Sequence, residues 1–207
     1  EEVVFHGSCK NPFVPGAGTL PPKLAGRDEI LERARILLAR TKNGIVGKSF
    51  ILTGLRGVGK TVLLVEIESL AEKEGFFVIR LEAREEKSIT TELAKEIRRI
   101  LLNMSTLSSV GVKLKKGLSV FLAFIKAFKI SVGDMAIEVS PELGTADSGD
   151  IEDDMPHLLT AVAEAAQEHN TGIALIIDEI HELTSKELSG IIVAMHEYSK
   201  NNFLSCC

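Results

Sequence analysis

The residues Gly54-Leu55-Arg56-Gly57-Val58-Gly59-Lys60-Thr61 form the most informative stretch of this sequence. They match the pattern G-x-x-x-x-G-K-[ST], in which glycines without a Cβ let the backbone wrap closely around phosphate groups. The N–H groups of such a loop, and the N-terminus of the helix that follows, point at the β-phosphate. Lys60 would then reach the β- and γ-phosphates, and the Thr61 hydroxyl would coordinate Mg²⁺. The stretch therefore predicts a nucleotide-binding loop.

The segments around this loop alternate between strand and helix patterns. Short apolar runs predict strands over residues 49–53, 76–81 and 173–177, the last one buried on both faces. Apolar residues at helical spacing predict helices that begin at Asp28, cover 61–74, 88–102, 111–128 and 157–169, and begin again at a Thr184–Glu187 capping box. This alternation implies an α/β fold whose mostly parallel sheet is covered by helices on both sides.

Residues 105–150 interrupt the alternation and are predicted to form an insertion, which consists of a helix and a β-hairpin. The hairpin is predicted at Gly133-Asp134, which alternating apolar residues flank, and 142–154 is predicted to be a linker. The inserted helix is rich in lysine, and its pattern leaves several interpretations open. It fits a helix packed on the core with a solvated basic face, a partner-binding surface, an anionic membrane surface or a nucleic-acid contact.

The other half of the phosphate site is predicted where the apolar strand 173–177 ends. Asp178 is placed to hold Mg²⁺, and Glu179 can orient and polarise the attacking water. By itself this pair also fits a solvated acidic turn, but beside a phosphate loop it favours hydrolysis, with Glu179 and Lys60 as the catalytic residues. His181 follows closely, either near the γ-phosphate region or as an ordinary loop histidine.

The two segments resemble the Walker A and Walker B elements of AAA+ ATPases, which have the three-layer sandwich of P-loop NTPases. The residues Leu24-Ala25-Gly26-Arg27-Asp28-Glu29 resemble the Gly-Arg-Asp/Glu segment of the origin-recognition-like branch, and the Pro- and Gly-rich arm before them is similar to the start of that branch's proteins. The resemblance implies that Leu24, Ala25, Gly26 and Arg27 line the adenine, and so implies ATP rather than GTP. A plainer interpretation is compatible with this role: Gly26 forms a turn and Asp28 caps the first helix.

The resemblance also implies the activity, which is Mg²⁺-dependent ATP hydrolysis coupled to a protein partner, an oligomer or DNA. Two alternatives stay open: a regulatory, signalling-type nucleotide switch, and an ATP-binding fragment without turnover. In domain terms, residues 1–27 would be the arm on the adenine side, and 28–207 the ATPase core that contains the insertion.

AAA+ domains continue past Walker B with a fourth strand, an arginine finger, a fifth strand and a helical lid, in the sheet order 5-1-4-3-2. This chain ends where that fourth strand would begin. We therefore expect a fold that is incomplete at the C-terminus, without lid or sensors, and with weak turnover. Unpaired strand edges are costly. The last five residues, or a segment of another copy, are therefore expected to fill the slot beside strand 173–177.

Composition limits the function classes. The 207 residues are 45% hydrophobic and 26% charged, which excludes a disordered tail, and 24 basic against 29 acidic residues give no overall positive field for nucleic acid. Any DNA contact would have to be local.

The longest apolar stretch, 118–130, is shorter than the roughly 20 residues that cross a bilayer, so no membrane partner is predicted. Three cysteines without zinc-site spacing predict reduced thiols and a cytoplasmic location.

Overall fold

The computed structural model describes residues 26–43, 45, 49–55, 57–107, 111–133, 139–198 and 203–206. The described part of the chain contains six α-helices, three β-strands and a 3₁₀ turn, which makes it an α/β protein, as predicted. In chain order these are α1 (Asp28–Lys42), α2 (Lys60–Lys73), β1 (Phe77–Glu82), α3 (Ile89–Leu107), α4 (Val112–Ala127), α5 (Ile151–Glu168), β2 (Ile173–Asp178), the 3₁₀ turn (Ile180–Glu182), α6 (Ser185–Tyr198) and β3 (Phe203–Cys206).

The three strands form one parallel sheet in the order β1-β2-β3. β2 lies in the middle, and all six of its residues are buried, as its continuous apolar run predicts. It pairs with β1 from Phe77↔Ile173 to Glu82↔Asp178, and with β3 from Ile173↔Phe203 to Ile176↔Cys206. The expectation that the last residues fill the slot beside this strand is thus confirmed for Phe203–Cys206; Cys207 lies outside the described residues.

Helices cover both faces of the sheet. On one face, α1 and α2 pack on Val78, Ala174 and Ile176. On the other face, α3, α4, α5 and α6 pack on the neighbouring strand positions, Ile79 and Leu175 among them. Successive strand residues point to opposite faces, so β1 and β2 each contribute to both clusters.

The prediction of a strand over residues 49–53 is wrong. Within the described residues, Phe50 takes part in a single bridge and residues 51–55 have no regular secondary structure. The burial alternation of a strand is nevertheless present, because Phe50 and Leu52 pack against the core while Ile51 is 61% exposed. The sequence pattern reports which side chains are buried, whereas a strand also needs a neighbouring backbone with which to form hydrogen bonds.

Helix α5 begins six residues earlier than predicted, inside the segment expected to be a linker. Its N-cap is Asp150, whose side chain accepts a hydrogen bond from the Glu152 N–H at 3.2 Å. The buried Asp154 carboxylate accepts two further bonds, from the Ser148 N–H at 3.1 Å and the Gly149 N–H at 2.8 Å. These side-chain acceptors fix the chain just before the helix.

The lysine-rich helix α4 is part of the core. Leu114, Leu118, Phe121 and Phe124 are fully buried in the main cluster, whereas the lysines of the helix face solvent. This confirms the interpretation as a core helix with a solvated basic face. The turn of the predicted hairpin falls partly on residues 134–138, which lie outside the described part of the chain, and residues 131–133 and 139–140 have no regular structure. Among the described helices, none has the length and apolar character to span a bilayer.

Helix α6 begins with the predicted capping box and then packs closely on α5. The Glu187 carboxylate accepts bonds from the Thr184 N–H at 2.9 Å and the Thr184 hydroxyl at 2.8 Å. Six residues into the helix, a Cβ on Gly190 would lie 2.9 Å from the Ile151 carbonyl oxygen and 3.4 Å from the Glu152 Cα. Both neighbours are backbone atoms, which cannot turn aside as a side chain can.

The replacement Gly190→Ala is therefore expected to lower the free energy of unfolding by about 1–3 kcal/mol, as overpacking does. This loss should exceed the gain of up to about 1 kcal/mol in helix propensity. Urea titration followed by circular dichroism measures the change. The control Val193→Ala, at a partly exposed position of the same helix, should change the free energy by no more than about 0.5 kcal/mol. A Gly190→Ala protein as stable as the parent would show that α5 and α6 do not pack this closely.

Candidate functional site

The predicted phosphate loop ends in two glycines with left-handed backbone conformation. Gly57 has a φ of 82° and Gly59 a φ of 84°, a region that glycine enters without steric cost. Gly59 is the N-cap of α2, which begins at Lys60, and its carbonyl oxygen accepts the Leu63 N–H at 3.0 Å. The free N–H groups and the positive dipole end of α2 therefore lie at the end of the loop. Arg56 lies outside the described residues.

The Lys60 side chain lies against its own loop. Its Nζ donates to the carbonyl oxygens of Gly54 at 2.9 Å and Leu55 at 3.1 Å. Both acceptors are neutral carbonyl oxygens, whereas an anionic oxygen in their place would add the attraction between opposite charges. The loop thus holds the Lys60 ammonium group in contact with two carbonyl oxygens, which the oxygens of a bound anion can replace as acceptors.

The predicted acidic pair lies where β2 ends, in two different environments. Asp178 is buried, with 8% of its surface exposed, and its Oδ1 accepts the Glu179 N–H at 3.0 Å. The Glu179 side chain is 41% exposed. Glu179 also has a φ of 54°, a left-handed conformation that costs a non-glycine residue about 1–2 kcal/mol. Strain of this kind tends to concentrate at functional sites.

A small cavity brings the two halves of the predicted site together. Its volume is about 90 Å³, and Lys60, Asp178, Glu179 and His181 supply its polar lining. Apolar side chains complete it: Leu52, Leu64, Ile177 and Ile180. Thr61 follows Lys60 in the first turn of α2, where it is half-buried, and does not line this cavity. A larger hollow of about 650 Å³ lies along α1, but side chains of that one helix line it and it contains none of these residues.

The short segment before α1 contacts the loop. The Arg27 Nη2 donates to the Val58 carbonyl oxygen at 2.8 Å, and Gly26 has a φ of 74°. Arg27, rather than Asp28, is the N-cap of α1, so the predicted capping role of Asp28 is wrong: the Arg27 carbonyl oxygen accepts the first helical N–H groups. Leu24 and Ala25 lie outside the described residues. No spacing rule predicts a bond between a side chain and a distant backbone carbonyl, so this contact could not be predicted from the sequence.

One carboxylate beside the site, that of Glu82, was not predicted from the sequence. The β1–β2 register places Glu82 opposite Asp178 at the same edge of the sheet. The Arg84 Nη2 donates to Glu82 Oε2 at 2.6 Å and holds the pKa of that carboxyl below its ordinary value of 4.5. Extending the predicted strand 76–81 by one residue would have identified Glu82.

The chemistry of the donor set fits a magnesium ion. Mg²⁺ binds oxygen ligands, commonly one or two protein groups together with substrate phosphates and water. The Thr61 hydroxyl and the Asp178 carboxylate are oxygen groups of this kind. No group of three or more His, Cys, Asp or Glu side chains that could hold a metal occurs among the described residues. The residues present thus fit an ion that is bound together with a phosphate, rather than a site made of protein ligands alone.

Comparison with known families identifies one match. The family described as AAA ATPase domain matches residues 23–197, a range that includes the loop, β2 and the acidic pair. Searches of curated proteins and of solved structures found no match.

The replacement Arg84→Gln is expected to raise the pKa of Glu82 toward 4.5, because it removes the guanidinium that stabilises the charged carboxylate. A depressed pKa contributes stability above the unfolded-state value, and this contribution is lost as the pH falls through the folded value. Titration of the Glu82 carboxyl by ¹³C NMR measures the shift. The control Arg40→Gln, on α1, should leave the Glu82 titration unchanged. An unchanged midpoint in Arg84→Gln would contradict the assigned cause.

Proposed function

The chain belongs to the family of AAA ATPase domains, and we propose from this that it binds ATP at residues 54–61 and hydrolyses it with Mg²⁺ as cofactor. The observation that carries the proposal is the common cavity of Lys60, Asp178 and Glu179. A cation from the loop and two carboxylates from the end of β2 lie around one space. This combination suits a phosphoanhydride and an attacking water better than it suits a structural ion pair, because Glu179 does not pair with Lys60.

Each part of the loop has a role in this proposal. The backbone N–H groups of Gly57, Val58, Gly59, Lys60 and Thr61 would surround the phosphates, and Gly54, Leu55 and Arg56 would complete the loop. Lys60 would exchange its two carbonyl contacts for anionic β- and γ-phosphate oxygens. Thr61 and Asp178 would hold Mg²⁺, which when bound neutralises charge on the phosphate oxygens.

Glu179 is the proposed catalytic carboxylate. Its partly exposed side chain lines the cavity, where it would accept a proton from water as the water oxygen bonds to the γ-phosphorus. The bond between that phosphorus and the bridging oxygen breaks, and the products are ADP and inorganic phosphate. Lys60 would stabilise the negative charge that moves onto the bridging oxygen.

The proposed adenine-binding segment lies just before α1. We propose that Leu24, Ala25, Gly26 and Arg27 line the base, as the resemblance to the origin-recognition-like branch implies. The bond from Arg27 to the Val58 carbonyl supports a location beside the loop. Coupling to a protein partner, an oligomer or DNA belongs to the same proposal and rests on the resemblance alone, as does the three-layer sandwich. The cytoplasmic location rests on the cysteine pattern.

The first test replaces the two proposed catalytic residues. Lys60→Ala should weaken ATP binding by about 10- to 100-fold, the value of a hydrogen bond to a charged group. Glu179→Gln should keep the affinity within about threefold but slow phosphate release by on the order of 100-fold, because general-base assistance is lost. Affinity is measured with a fluorescent ATP analogue in the presence of Mg²⁺, and turnover by phosphate release at saturating ATP.

Lys113→Ala, on the solvent face of α4, is the matched control for loss of a lysine and should change neither value. Unchanged affinity in Lys60→Ala would contradict the phosphate-loop assignment. ATP binding without phosphate release would reject the proposed hydrolysis and favour binding alone. Phosphate release that Glu179→Gln leaves unchanged would reject Glu179 as the catalytic carboxylate.

A second test concerns Arg27. Arg27→Gln is expected to weaken ATP binding about three- to tenfold, because loss of the bond to the Val58 carbonyl leaves the loop between its two glycines less constrained. The unfolding midpoint should change little, since the bond is exposed. Arg40→Gln, at the other end of α1, is the control. Equal affinities in the two variants would show that the contact does not contribute to the site.

A further inference from the structure

His181 lies between two carboxylates directly after β2. Its Nδ1 is 3.3 Å from Glu179 Oε2, and its Nε2 is 3.1 Å from Glu182 Oε1. The imidazole itself is 68% exposed and forms part of the cavity that Lys60 and Asp178 also line. In the imidazolium form both ring nitrogens carry a proton, so each can donate to one of the two carboxylates, and the residue then connects the proposed catalytic group to a second anchor.

The local backbone explains why the three side chains meet. The Glu182 N–H donates to the Glu179 carbonyl oxygen at 2.9 Å, which closes the 3₁₀ turn. Glu179 precedes the turn and Glu182 ends it, and the distances from the two His181 ring nitrogens show that both carboxylates lie beside the imidazole. Ile180 and Leu183 pack against the main hydrophobic cluster and fix the turn to the core. His181 thus projects from an anchored turn rather than from a free loop.

We propose that His181 is a positioning residue, which holds the Glu179 carboxylate beside the proposed γ-phosphate position. This inference rests on the proposed function. Glu179 has several freely rotating side-chain bonds and is partly exposed, so an unrestrained carboxylate would spend much of its time away from the water. Contact with Oε2 restrains the carboxylate while Oε1 stays available to accept the proton. A misplacement of 1 Å can cost about 100-fold in rate, so such a restraint affects turnover rather than affinity.

Replacement of His181 with asparagine or with glutamine tests the contacts of the two ring nitrogens separately. The amide nitrogen of asparagine is attached to Cγ, as Nδ1 is, so His181→Asn keeps a donor toward Glu179. The amide nitrogen of glutamine is one bond further out, near the position of Nε2, so His181→Gln keeps only a donor toward Glu182. The maximal rate of phosphate release should be about tenfold higher in His181→Asn than in His181→Gln, with ATP affinities that agree within about threefold.

The control His157→Gln changes an exposed histidine of α5 and should retain the parental rate. Equal rates in the Asn and Gln variants would overturn the inference, as would a faster Gln variant or a parallel loss of ATP affinity. If hydrolysis depends on Glu179 but is equally fast in His181→Asn and His181→Gln, this inference fails while the proposed function stands. If the parent released no phosphate, the proposed function itself would fail, and the positioning role with it.

A measurement without turnover tests the contact itself. In ¹⁵N NMR spectra, replacing Glu179 with glutamine should shift the Nδ1 resonance of His181, because its charged neighbour is lost. The chain has five histidines, and the signal absent from the His181→Asn spectrum identifies His181. Glu142→Gln, distant in sequence, is the control and should leave the resonance in place. An Nδ1 resonance that Glu179→Gln does not move would also overturn the inference.

Discussion

The burial of β2 on both faces is the constraint on which the rest of the structure depends. All six residues of this strand are buried, and each face is covered by a separate group of helices. A backbone buried in this way must find its hydrogen-bond partners in the sheet, which β1 and β3 supply in parallel register. The strand can therefore end in only one place relative to its neighbours, and that end carries Asp178 and Glu179.

The parallel arrangement then collects charge at one edge of the sheet. Glu82 and Asp178 lie opposite each other in the register, and α2 begins with Lys60 close to the same edge, where it shares a cavity with Asp178. The residues that leave the regular elements here do so at positive φ: Gly57, Gly59 and Glu179. The glycines make the loop conformation inexpensive, whereas Glu179 is strained, and packing of Ile180 and Leu183 on the core offsets that strain.

The elements that depend on side-chain burial were predicted correctly from the sequence. Features that depend on backbone pairing or on long-range contacts were not. The apolar run 173–177 identified β2, and the glycine–lysine pattern identified the start of α2 to within one residue. Residues 49–53 have the side-chain alternation of a strand, but ladder pairing depends on a neighbouring backbone that no local pattern specifies. The bond from Arg27 to Val58 spans 31 residues, so no local pattern indicates it. The contacts of His181 depend on the 3₁₀ turn, which Glu179 precedes in a strained, left-handed conformation.

The two adjacent carboxylates illustrate how one backbone step can provide separate environments for the two chemical roles proposed for them. Asp178 is the last residue of β2, buried and bonded to the next N–H, so packing already fixes its side chain. Glu179 is outside the strand, longer and half open to solvent, so nothing in the sheet restrains it. A group that holds a cation benefits from the first environment, while a group that must reach water and take a proton needs the second. A neighbour in the turn can limit the mobility that comes with exposure, and this is the role proposed for His181, which lies beside both Glu179 and Glu182.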